Sequence, residues 1–397
     1  MNLDSWREKY LSLVPRLSGL AQAMPLTLCG LATCTDAYLR LAEAESLFAA
    51  RNRKAASLAK VLQERAASGI GGELLLDWPE AEEWIAANLP ISSWGLGGTG
   101  AQAAQMLTVL GARALITLED RSQRQLSVIH PDVLVATEHG LEKRAALDGT
   151  GSSKPAHYIF EFSVDELIGR ERAKRSTRVI VRFADDQLDR DPAFVQVSVA
   201  QASQAGVAVI CGFNEVAPAA LAAELEYTKT LLSAWQAQGL SKIHLELGGY
   251  EDLSLRDQVL SALGPLISSL GMSHSELREF GVPDVATAAG RLRGTFGLDR
   301  ICVHADTWAL AITNNEPERE LESLMCGCLL AACRATHGKV AIPTGVPADA
   351  GFQKPPYPPV NPQNGGTLVC CPSPYLERPK ATIGLGDTFL AGTLLVN

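Results

Sequence analysis

The most informative stretch of this chain is Thr382-Ile-Gly-Leu-Gly-Asp-Thr-Phe-Leu-Ala-Gly-Thr393. A turn of small residues, Gly384 to Gly386, leads directly into an apolar run that favours a helix. Glycines allow backbone N–H groups to converge on an anion at the start of a helix. Asp387 follows at once, where a carboxylate can take a proton from an attacking hydroxyl while the amides bind a phosphoryl group. The stretch therefore indicates phosphoryl transfer, with Asp387 as a plain helix cap being the alternative.

The composition predicts a large protein with an extensive apolar core. The chain has 397 residues, of which 47% are hydrophobic and 20% charged, which excludes wholesale disorder. A net charge of −9 without a basic stripe argues against nucleic acid as the main partner. Because we find neither a secretory leader pattern nor an apolar run of 18 residues, we expect a cytoplasmic protein with no membrane contact. Nine scattered cysteines without a Cys-x-x-Cys pair predict buried free thiols rather than a zinc site.

Short apolar runs alternate with helical stretches along much of the chain. This rhythm predicts a largely parallel sheet with helices on both faces. Residues 151–194 break the rhythm and predict an antiparallel excursion, and residues 343–366, rich in Pro and Gly, predict a long surface loop. The remaining predictions are strands at 26–30, 114–117, 133–136, 207–210, 243–247, 301–304 and 340–342, helices over 39–67 and 101–110, and a flexible loop at 94–100.

Two acidic residues in the second half of the chain are candidate metal ligands. His244 and Glu246 are two positions apart on a predicted strand, so they share one face. They lie near the carboxyl end of this strand, where α/β sheets bind ligands. Some thirty residues further on, Glu276 offers a second carboxylate. Two carboxylates near a phosphate suit Mg²⁺, which keeps several of its waters. A polar pair that merely ends a strand is the alternative interpretation.

The order of these motifs resembles one branch of the ribokinase-like superfamily, the ADP-dependent glucokinases and phosphofructokinases. That branch carries His-x-Glu, Asn-x-x-Glu, Arg-x-x-Val-His, a proline-containing strand and a final Gly-Leu-Gly-Asp. The corresponding segments here are residues 244–246, 273–276, 300–304, 369–374 and 384–387. Upstream, similar segments are Thr35-Asp-Ala37, Gly100-Ala-Gln-Ala103, His157-Tyr-Ile-Phe-Glu-Phe162, Arg178 and Ala184-Asp-Asp186. The resemblance covers roughly residues 26–392.

The resemblance implies a three-layer α/β/α domain with a smaller lid that contains β-structure. The large nucleotide-binding domain would comprise residues 1–35, 100–155 and 195–397, and the lid, which carries part of the substrate site, residues 36–99 and 156–194. The implied activity is Mg²⁺-dependent transfer of a phosphoryl group from ADP to a hexose or hexose phosphate, such as glucose or fructose 6-phosphate, in glycolytic carbohydrate metabolism. The partners would be that sugar and an adenine nucleotide, and we expect a monomer.

The resemblance also implies a role for individual residues. Asp387 would be the base, and the amides of Gly384, Leu385 and Gly386 would hold the transferring phosphoryl group. Glu246 and Glu276 would position Mg²⁺ through water. The remaining implied contacts are Asp36, Glu73, Gly100 and Gln102 to the sugar, Arg178 to a phosphate of the nucleotide or sugar, and His304, Val369 and Pro372 around the adenosine.

Three departures from the family pattern leave the acceptor open. Cys34 and Ser273 stand where the family has Asn, and Ala101 stands where it has Gly. Glu73 would favour an uncharged sugar, unless it is a solvated charge, whereas the basic run from Arg170 to Arg178 would favour a sugar phosphate, unless it is a solvated face. Two other functions remain open: an ATP-dependent sugar or nucleoside kinase of the same superfamily, and a non-catalytic sugar-sensing descendant.

Overall fold

The computed structural model describes residues 3–184, 187–363 and 365–396 of the chain. Its strands are β1 (Leu26–Cys29), β2 (Cys34–Arg40), β3 (Gly72–Leu75), β4 (Ser93–Gly97), β5 (Ala114–Ile116), β6 (Leu134–Thr137), β7 (Gly140–Lys143), β8 (His157–Phe162), β9 (Leu167–Ile168), β10 (Glu171–Arg172), β11 (Thr177–Arg182), β12 (Ala205–Ile210), β13 (Ile243–Glu246), β14 (Ser269–Ser273), β15 (Arg300–His304), β16 (Trp308–Thr313), β17 (Val360–Gln363) and β18 (Gly366–Pro372). Its α-helices are α1 (Leu3–Leu13), α2 (Leu17–Ala23), α3 (Glu45–Phe48), α4 (Arg53–Ser68), α5 (Ala81–Asn88), α6 (Thr99–Leu110), α7 (Gln123–Val128), α8 (Pro192–Gln201), α9 (Leu221–Ala237), α10 (Leu253–Leu263), α11 (His274–Arg278), α12 (Val285–Phe296), α13 (Pro317–His337) and α14 (Leu385–Leu394).

A mixed sheet of eleven strands runs through the larger part of the molecule. Its strand order is β17-β18-β16-β15-β14-β13-β12-β1-β5-β6-β7. The central strands from β15 to β6 are parallel, and the strands beyond them on both sides pair antiparallel. Strands β1 and β13 are buried at every residue, as expected for parallel strands covered on both faces. The prediction of a largely parallel sheet is confirmed for this centre.

Helices cover both faces of the eleven-stranded sheet. On one face, α1, α6, α13 and α14 contribute to an apolar core that includes Trp6 and Phe389. On the other face, α8, α9, α10 and α12 contribute to a second core that includes Phe194 and Trp235. The result is the three-layer α/β/α arrangement that the sequence predicted. No helix in the described residues is both long enough and apolar enough to cross a bilayer.

A second sheet has five strands in the order β3-β11-β8-β2-β4 and its own apolar core. Strands β8 and β11 pair antiparallel, which confirms the predicted excursion. Helix α4 packs on this core because its apolar residues recur every three or four positions, and it begins at the Asn52 cap and ends at Gly69. These strands come from the two stretches assigned to the lid, except that β2 starts two residues earlier, at Cys34. The division into domain and lid remains a prediction.

Four local predictions are wrong, in whole or in part. Residues 94–97 are not a flexible loop: they belong to β4, where a Cβ on Gly95 would overlap the Tyr38 ring and one on Gly97 would overlap Cys34 and Asp36. These glycines therefore allow close packing against β2. Residues 39–40 end β2 instead of starting a helix, and residues 340–342, all described, adopt no strand. The predicted loop over 343–366 contains β17 and the start of β18.

Candidate active site

Residues 382–393 form the glycine turn and most of helix α14. Gly384 is the N-cap residue and has a left-handed φ of 70°, a conformation that favours glycine. The Arg334 guanidinium of α13 packs against Gly384 so closely that a Cβ there would overlap it. The same guanidinium donates a hydrogen bond to the Thr388 hydroxyl, at 3.2 Å between Nη1 and Oγ1. The turn therefore presents a helix N-terminus with an arginine beside it, which suits an anion.

Asp387 lies in the first turn of α14. Residues of four other elements, α6, α13, β11 and β13, affect its pKa. Burial raises the pKa of Asp387, while the charge of Arg334 and a hydrogen bond from Thr99 partly oppose that rise. The charge of Glu246 raises this pKa further and that of Arg178 lowers it. Residues distant in sequence thus surround one carboxyl group whose raised pKa suits a general base near neutral pH.

Glu246 lies between two imidazoles. Its Oε2 is 2.8 Å from His244 Nε2, and its Oε1 is 3.5 Å from His304 Nε2. His244 Nδ1 is in turn 2.9 Å from the Ser269 hydroxyl. Burial alone would raise the pKa of Glu246, but the hydrogen bonds and charges of the two histidines outweigh burial and lower this pKa to about 2. Glu246 is therefore held as a fixed negative charge.

His304 connects this carboxylate to the turn at α14. Burial alone would lower the pKa of His304, but its hydrogen bond to Glu246 and the neighbouring carboxylates raise it above the usual value. A Cβ on Gly386 would lie 3.1 Å from His304 Cε1, and the His304 and Phe389 rings lie 5.1 Å apart between centroids. The imidazole therefore packs directly against the glycine turn.

Glu276 and Ser273 form a capping box at the start of α11. The Glu276 Oε2 atom accepts the Ser273 N–H at 2.7 Å, and the Ser273 hydroxyl accepts the Glu276 N–H at 3.3 Å. Ser273 thus keeps the capping role that an Asn could also fill. Burial raises the pKa of Glu276 to about 7, and the Glu246 charge adds to that rise. A cation between the two carboxylates would relieve their repulsion, so this pair fits Mg²⁺.

Asp36 lies on β2 of the five-stranded sheet. Its Oδ1 lies 4.0 Å from His157 Nδ1 and 3.9 Å from Cys34 Sγ. Burial raises the pKa of Asp36 to about 6; His157 lowers it and the Asp387 charge raises it. The Asp387 charge acts on Asp36, so the two carboxyl groups lie near each other, and we call the space around them the cleft. His157 was quoted within a motif but not predicted as a site residue.

Glu73 is held by polar groups from the rest of the cleft. Both of its carboxylate oxygens accept hydrogen bonds from Asn214 Nδ2 at 3.3 Å, and its Oε2 lies 3.8 Å from Arg182 Nε. Burial and the Glu215 charge raise the pKa of Glu73, and Arg182 partly opposes them. Glu73 is therefore not a solvated charge on an exposed surface.

The other predicted sugar and phosphate contacts lie around the same cleft. The Gly100 N–H donates to Cys211 Sγ at 3.2 Å, and Gln102 is buried in α6. The charge of Arg178 lowers the pKa of both Asp387 and Glu73, and its buried Nε has no hydrogen-bond partner among the described residues. Asp185 and Asp186 lie outside the described residues.

The predicted adenosine contacts lie on β15 and β18 of the large sheet, with β16 between them. The Val369 side chain of β18 is fully buried in the core and pairs with Ala311. Pro372 ends β18, and its carbonyl accepts the Tyr10 hydroxyl at 2.7 Å. Any contact between Val369 and a nucleotide would therefore be indirect, through the position of the strand, whereas His304 reaches the glycine turn itself.

Two residues that support the site escaped sequence reasoning. Arg334 lies within the long, mostly apolar α13, where nothing in the sequence marks it as a site residue. Glu161 of β8 belongs to the segment 157–162, yet its partner is 221 positions away: its Oε1 accepts the Thr382 N–H at 2.7 Å. Only the resemblance of that segment could have drawn attention to Glu161.

A three-layer α/β/α fold, a glycine turn at a helix start and a half-buried Asp in the first turn of that helix are typical of a ribokinase-like kinase scaffold. The model for the ADP-specific phosphofructokinase/glucokinase conserved region matches residues 28–396. The chain therefore belongs to this family, which confirms the resemblance.

Individual relatives are distant in sequence. The ADP-specific phosphofructokinase of Thermococcus litoralis is 28% identical over 183 residues, 38% of this chain and 40% of that protein. This chain thus spans about two fifths of the length of the curated phosphofructokinases that it matches. The ADP-dependent glucose/glucosamine kinase of Pyrococcus abyssi is 24% identical over 81% of this chain and 79% of its own length.

The fold extends over the whole molecule. A structure of an ADP-dependent kinase in complex with fructose 6-phosphate and ADPβS has a TM-score of 0.81 at 16% identity. The superposition covers 100% of this chain and 98% of that kinase. This similarity shows the ribokinase-like fold of the present chain.

Proposed function

We propose that this protein is an ADP-dependent sugar kinase that transfers the terminal phosphoryl group of ADP to a hexose or hexose phosphate with the help of Mg²⁺. The observation that carries the proposal is the arrangement of the glycine turn, Arg334 and Asp387 at the start of α14, with Asp36 of the second sheet near enough for the Asp387 charge to raise its pKa. The turn suits an anion, and the Asp36 carboxylate offers an acceptor for sugar hydroxyl groups. Family membership supports ADP as the donor.

The residues around Asp387 divide the chemistry among them. Asp36 and Glu73 bind and orient the acceptor hydroxyls, since carboxylates paired with hydroxyls discriminate strongly against sugars that lack them. Asp387 takes the proton of the attacking hydroxyl. The amides of the turn 384–386, with Arg334, stabilise the negative charge that develops on the transferring group. Glu246 and Glu276 would hold Mg²⁺ through water, and this ion supplies further charge neutralisation on the phosphates.

Glucose is the first acceptor to test. Glu73 sits at the cleft with Asn214 and Arg182, where it favours a neutral sugar over a phosphorylated one. The first part of the basic run, residues 170–175, lies instead on and beside the β9–β10 hairpin, where Arg175 forms an ion pair with Asp306 at 3.1 Å between Nη2 and Oδ2. A sugar phosphate would have to use Arg178 instead of this hairpin.

A donor and acceptor screen tests the proposal directly. Initial rates are measured with ADP and with ATP, each combined with glucose or with fructose 6-phosphate, in the presence of Mg²⁺. We expect turnover with ADP and a much lower kcat/KM with ATP. A clear preference for ATP would instead establish an ATP-dependent sugar kinase of the same superfamily, and nucleotide and sugar binding without any turnover would establish a sensor.

Closure of the lid forms a second part of the proposal. The five-stranded sheet contributes Asp36 and Glu73, while the large sheet contributes Glu246 and α14 carries Asp387. Closing residues 36–99 and 156–194 over the cleft would exclude water that competes for the phosphoryl group. Small-angle scattering should show a smaller radius of gyration with sugar and nucleotide together, and an unchanged radius at saturation would refute closure. The same measurement checks the monomeric state that we propose.

A further inference from the structure

Three different metal-binding side chains meet on one face of the five-stranded sheet. Cys34 and Asp36 are two positions apart on β2, so they point to the same side of the sheet. Asp36 pairs directly with His157 of the parallel neighbour β8. Cys34 Sγ lies 3.5 Å from His157 Nδ1 and 3.9 Å from Asp36 Oδ1, and Asp36 Oδ1 lies 4.0 Å from His157 Nδ1. Three ligand atoms of three different kinds thus form a small triangle.

The size of this triangle matches a tetrahedral zinc site. Zinc binds thiolate sulfur, imidazole nitrogen and carboxylate oxygen at about 2.3, 2.0 and 2.1 Å, which places neighbouring ligands about 3.4–3.6 Å apart. The observed separations of 3.5, 3.9 and 4.0 Å require only small side-chain rotations. We propose that Cys34, Asp36 and His157 bind zinc or a similarly thiol-seeking divalent cation, with its fourth position open to the cleft.

The charges of the three ligands favour such an ion over Mg²⁺. On binding, the Cys34 thiol releases its proton to solvent and its sulfur forms the bond to the metal. One thiolate, one carboxylate and one neutral imidazole leave the complex with Zn²⁺ uncharged, which matters because Asp36 and His157 are both buried. Mg²⁺ prefers oxygen ligands and retains its waters, so a site with sulfur and nitrogen selects against it.

Strand β4 passes the three side chains with a glycine, which leaves space for the two side chains of β2. A Cβ on Gly97 would overlap both Asp36 and Cys34. The spacing of the cysteines gave no indication of zinc, since two ligands are two residues apart on one strand and the third comes from a strand more than a hundred positions later. By the resemblance, Cys34 stands where the family pattern has Asn, so the thiol is a departure from that pattern.

The ion would occupy the pocket that we assign to the sugar. Bound at Asp36, it would remove a carboxylate from the acceptor hydroxyls and therefore inhibit by competing with the sugar. This consequence rests on the proposed function, whereas metal binding does not.

Cobalt substitution tests the site without any activity measurement. The metal-free full-length protein is titrated with Co²⁺, and absorption is recorded for the wild type, Cys34→Asn and, as a matched control, Cys333→Ser on α13. We expect a thiolate-to-cobalt charge-transfer band in the wild type and in the control, bleached by added Zn²⁺, and no such band in Cys34→Asn. A band that persists in Cys34→Asn, or none in the wild type, would overturn the proposal.

Affinities measured against a chelator provide a second test. Loss of a direct ligand in Cys34→Asn should weaken Zn²⁺ binding by at least about 100-fold, since even outer-shell substitutions cost about 10–100-fold. Asp36→Asn keeps the shape of the β2 side chain and should weaken Zn²⁺ binding by more than about tenfold. Unchanged affinity in a folded variant would contradict the site.

Adding glucose or fructose 6-phosphate during the cobalt titration separates the two proposals. If the band forms and a sugar weakens Co²⁺ binding, both the metal site and the sugar pocket are supported. If the band forms and neither sugar affects it, the metal site stands and the assignment of Asp36 to the sugar fails. If ADP-dependent turnover is found and the wild type gives no band, the metal proposal alone fails.

Discussion

The carboxyl groups around the cleft fall into two contrasting regions. At the end of β13, Glu246 has its pKa lowered to about 2, whereas Asp36 of β2 has its pKa raised to about 6. Both side chains are buried, so burial pushes both pKa values upwards. Glu246 receives close contacts from two imidazoles, while the nearest imidazole nitrogen to Asp36 lies 4.0 Å away. Fixed hydrogen-bond donors, not burial, decide the difference.

The contrast is between Glu246, whose ionised form is stabilised within the protein, and Asp36, whose ionised form is disfavoured by burial. The two histidines keep Glu246 ionised before any cation binds, as expected for a residue that attracts a divalent cation. Burial raises the pKa values of Asp36 and Glu73, and the hydroxyl groups of a sugar would supply further donors to their ionised forms. The predictions that follow test this contrast, from the largest expected effect to the smallest.

Asp387 stands between the two regions, and its loss should have the largest effect. Asp387→Asn keeps the size of the side chain and removes the base, so kcat should fall by about 10²–10⁴ while nucleotide affinity changes little. Steady-state kinetics and nucleotide titration measure the two effects. Asp252→Asn, which replaces a cap at the start of α10, is the matched control. Near-normal turnover in a folded Asp387→Asn protein would exclude this residue as the base.

Glu276 tests the claim that an uncompensated carboxyl group destabilises the fold when it ionises. Its folded pKa of about 7 exceeds the ordinary value of 4.5, so between these values the folded state keeps a proton that the unfolded state releases. The resulting stability is complete below about pH 4.5 and is lost as pH rises through 7, by at most about 3 kcal/mol before solvent screening.

Glu276→Gln should therefore show a smaller loss of stability between about pH 5 and about pH 7.5 than the wild type. The variant retains the capping box, because Gln can accept the Ser273 N–H as Glu does. Urea denaturation without Mg²⁺ at the two pH values measures the difference, and Glu64→Gln on the exposed face of α4 serves as control. Equal pH slopes for Glu276→Gln and the wild type would contradict the raised pKa.

Glu246 tests the opposite case, in which the charge is already present. Glu246→Gln removes the charge while keeping an acceptor for one imidazole, so the Mg²⁺ concentration that gives half-maximal rate should rise by about 10–100-fold. The His304 pKa should fall at the same time, because the Glu246 charge helps to raise it. Metal titration of the rate and histidine NMR measure both. An unchanged Mg²⁺ requirement would leave Glu246 with a structural role only.

The parts of the site that could be predicted are those formed by neighbours in sequence. The turn at Gly384 and the helix after it are local, and so is the alternation of His244 and Glu246 on one strand. The predictions failed where packing across the fold decides the structure. The glycines of β4 indicated a loop, whereas their role is to leave space for the side chains of β2. Arg334 reaches Gly384 only because α13 packs on α14.

Glu161 shows a third way to stabilise a buried carboxylate. On β8 of the five-stranded sheet, it accepts hydrogen bonds from the backbone N–H groups of Thr382 and Ile383, at 2.7 and 3.3 Å, and from the Thr382 hydroxyl at 3.1 Å. Its partners belong to the loop that leads into the glycine turn. Glu161 thus links the five-stranded sheet to the loop before the glycine turn. We expect its replacement to have a smaller effect on activity than replacement of Asp387 or Glu246.

Glu161→Gln and Glu161→Ala should differ in a graded way. Gln can still accept one of the N–H groups, but the bonds lose their charge assistance, so kcat/KM should fall by less than about tenfold. Ala leaves both N–H groups without that acceptor, a cost of about 1–3 kcal/mol for a buried donor, so kcat/KM and thermal stability should both fall further. Glu171→Gln, on the exposed hairpin strand β10, is the matched control. If Glu161→Ala were as active and as stable as the wild type, the turn at Gly384 would be held by α13 and α14 alone, and the two regions would be independent.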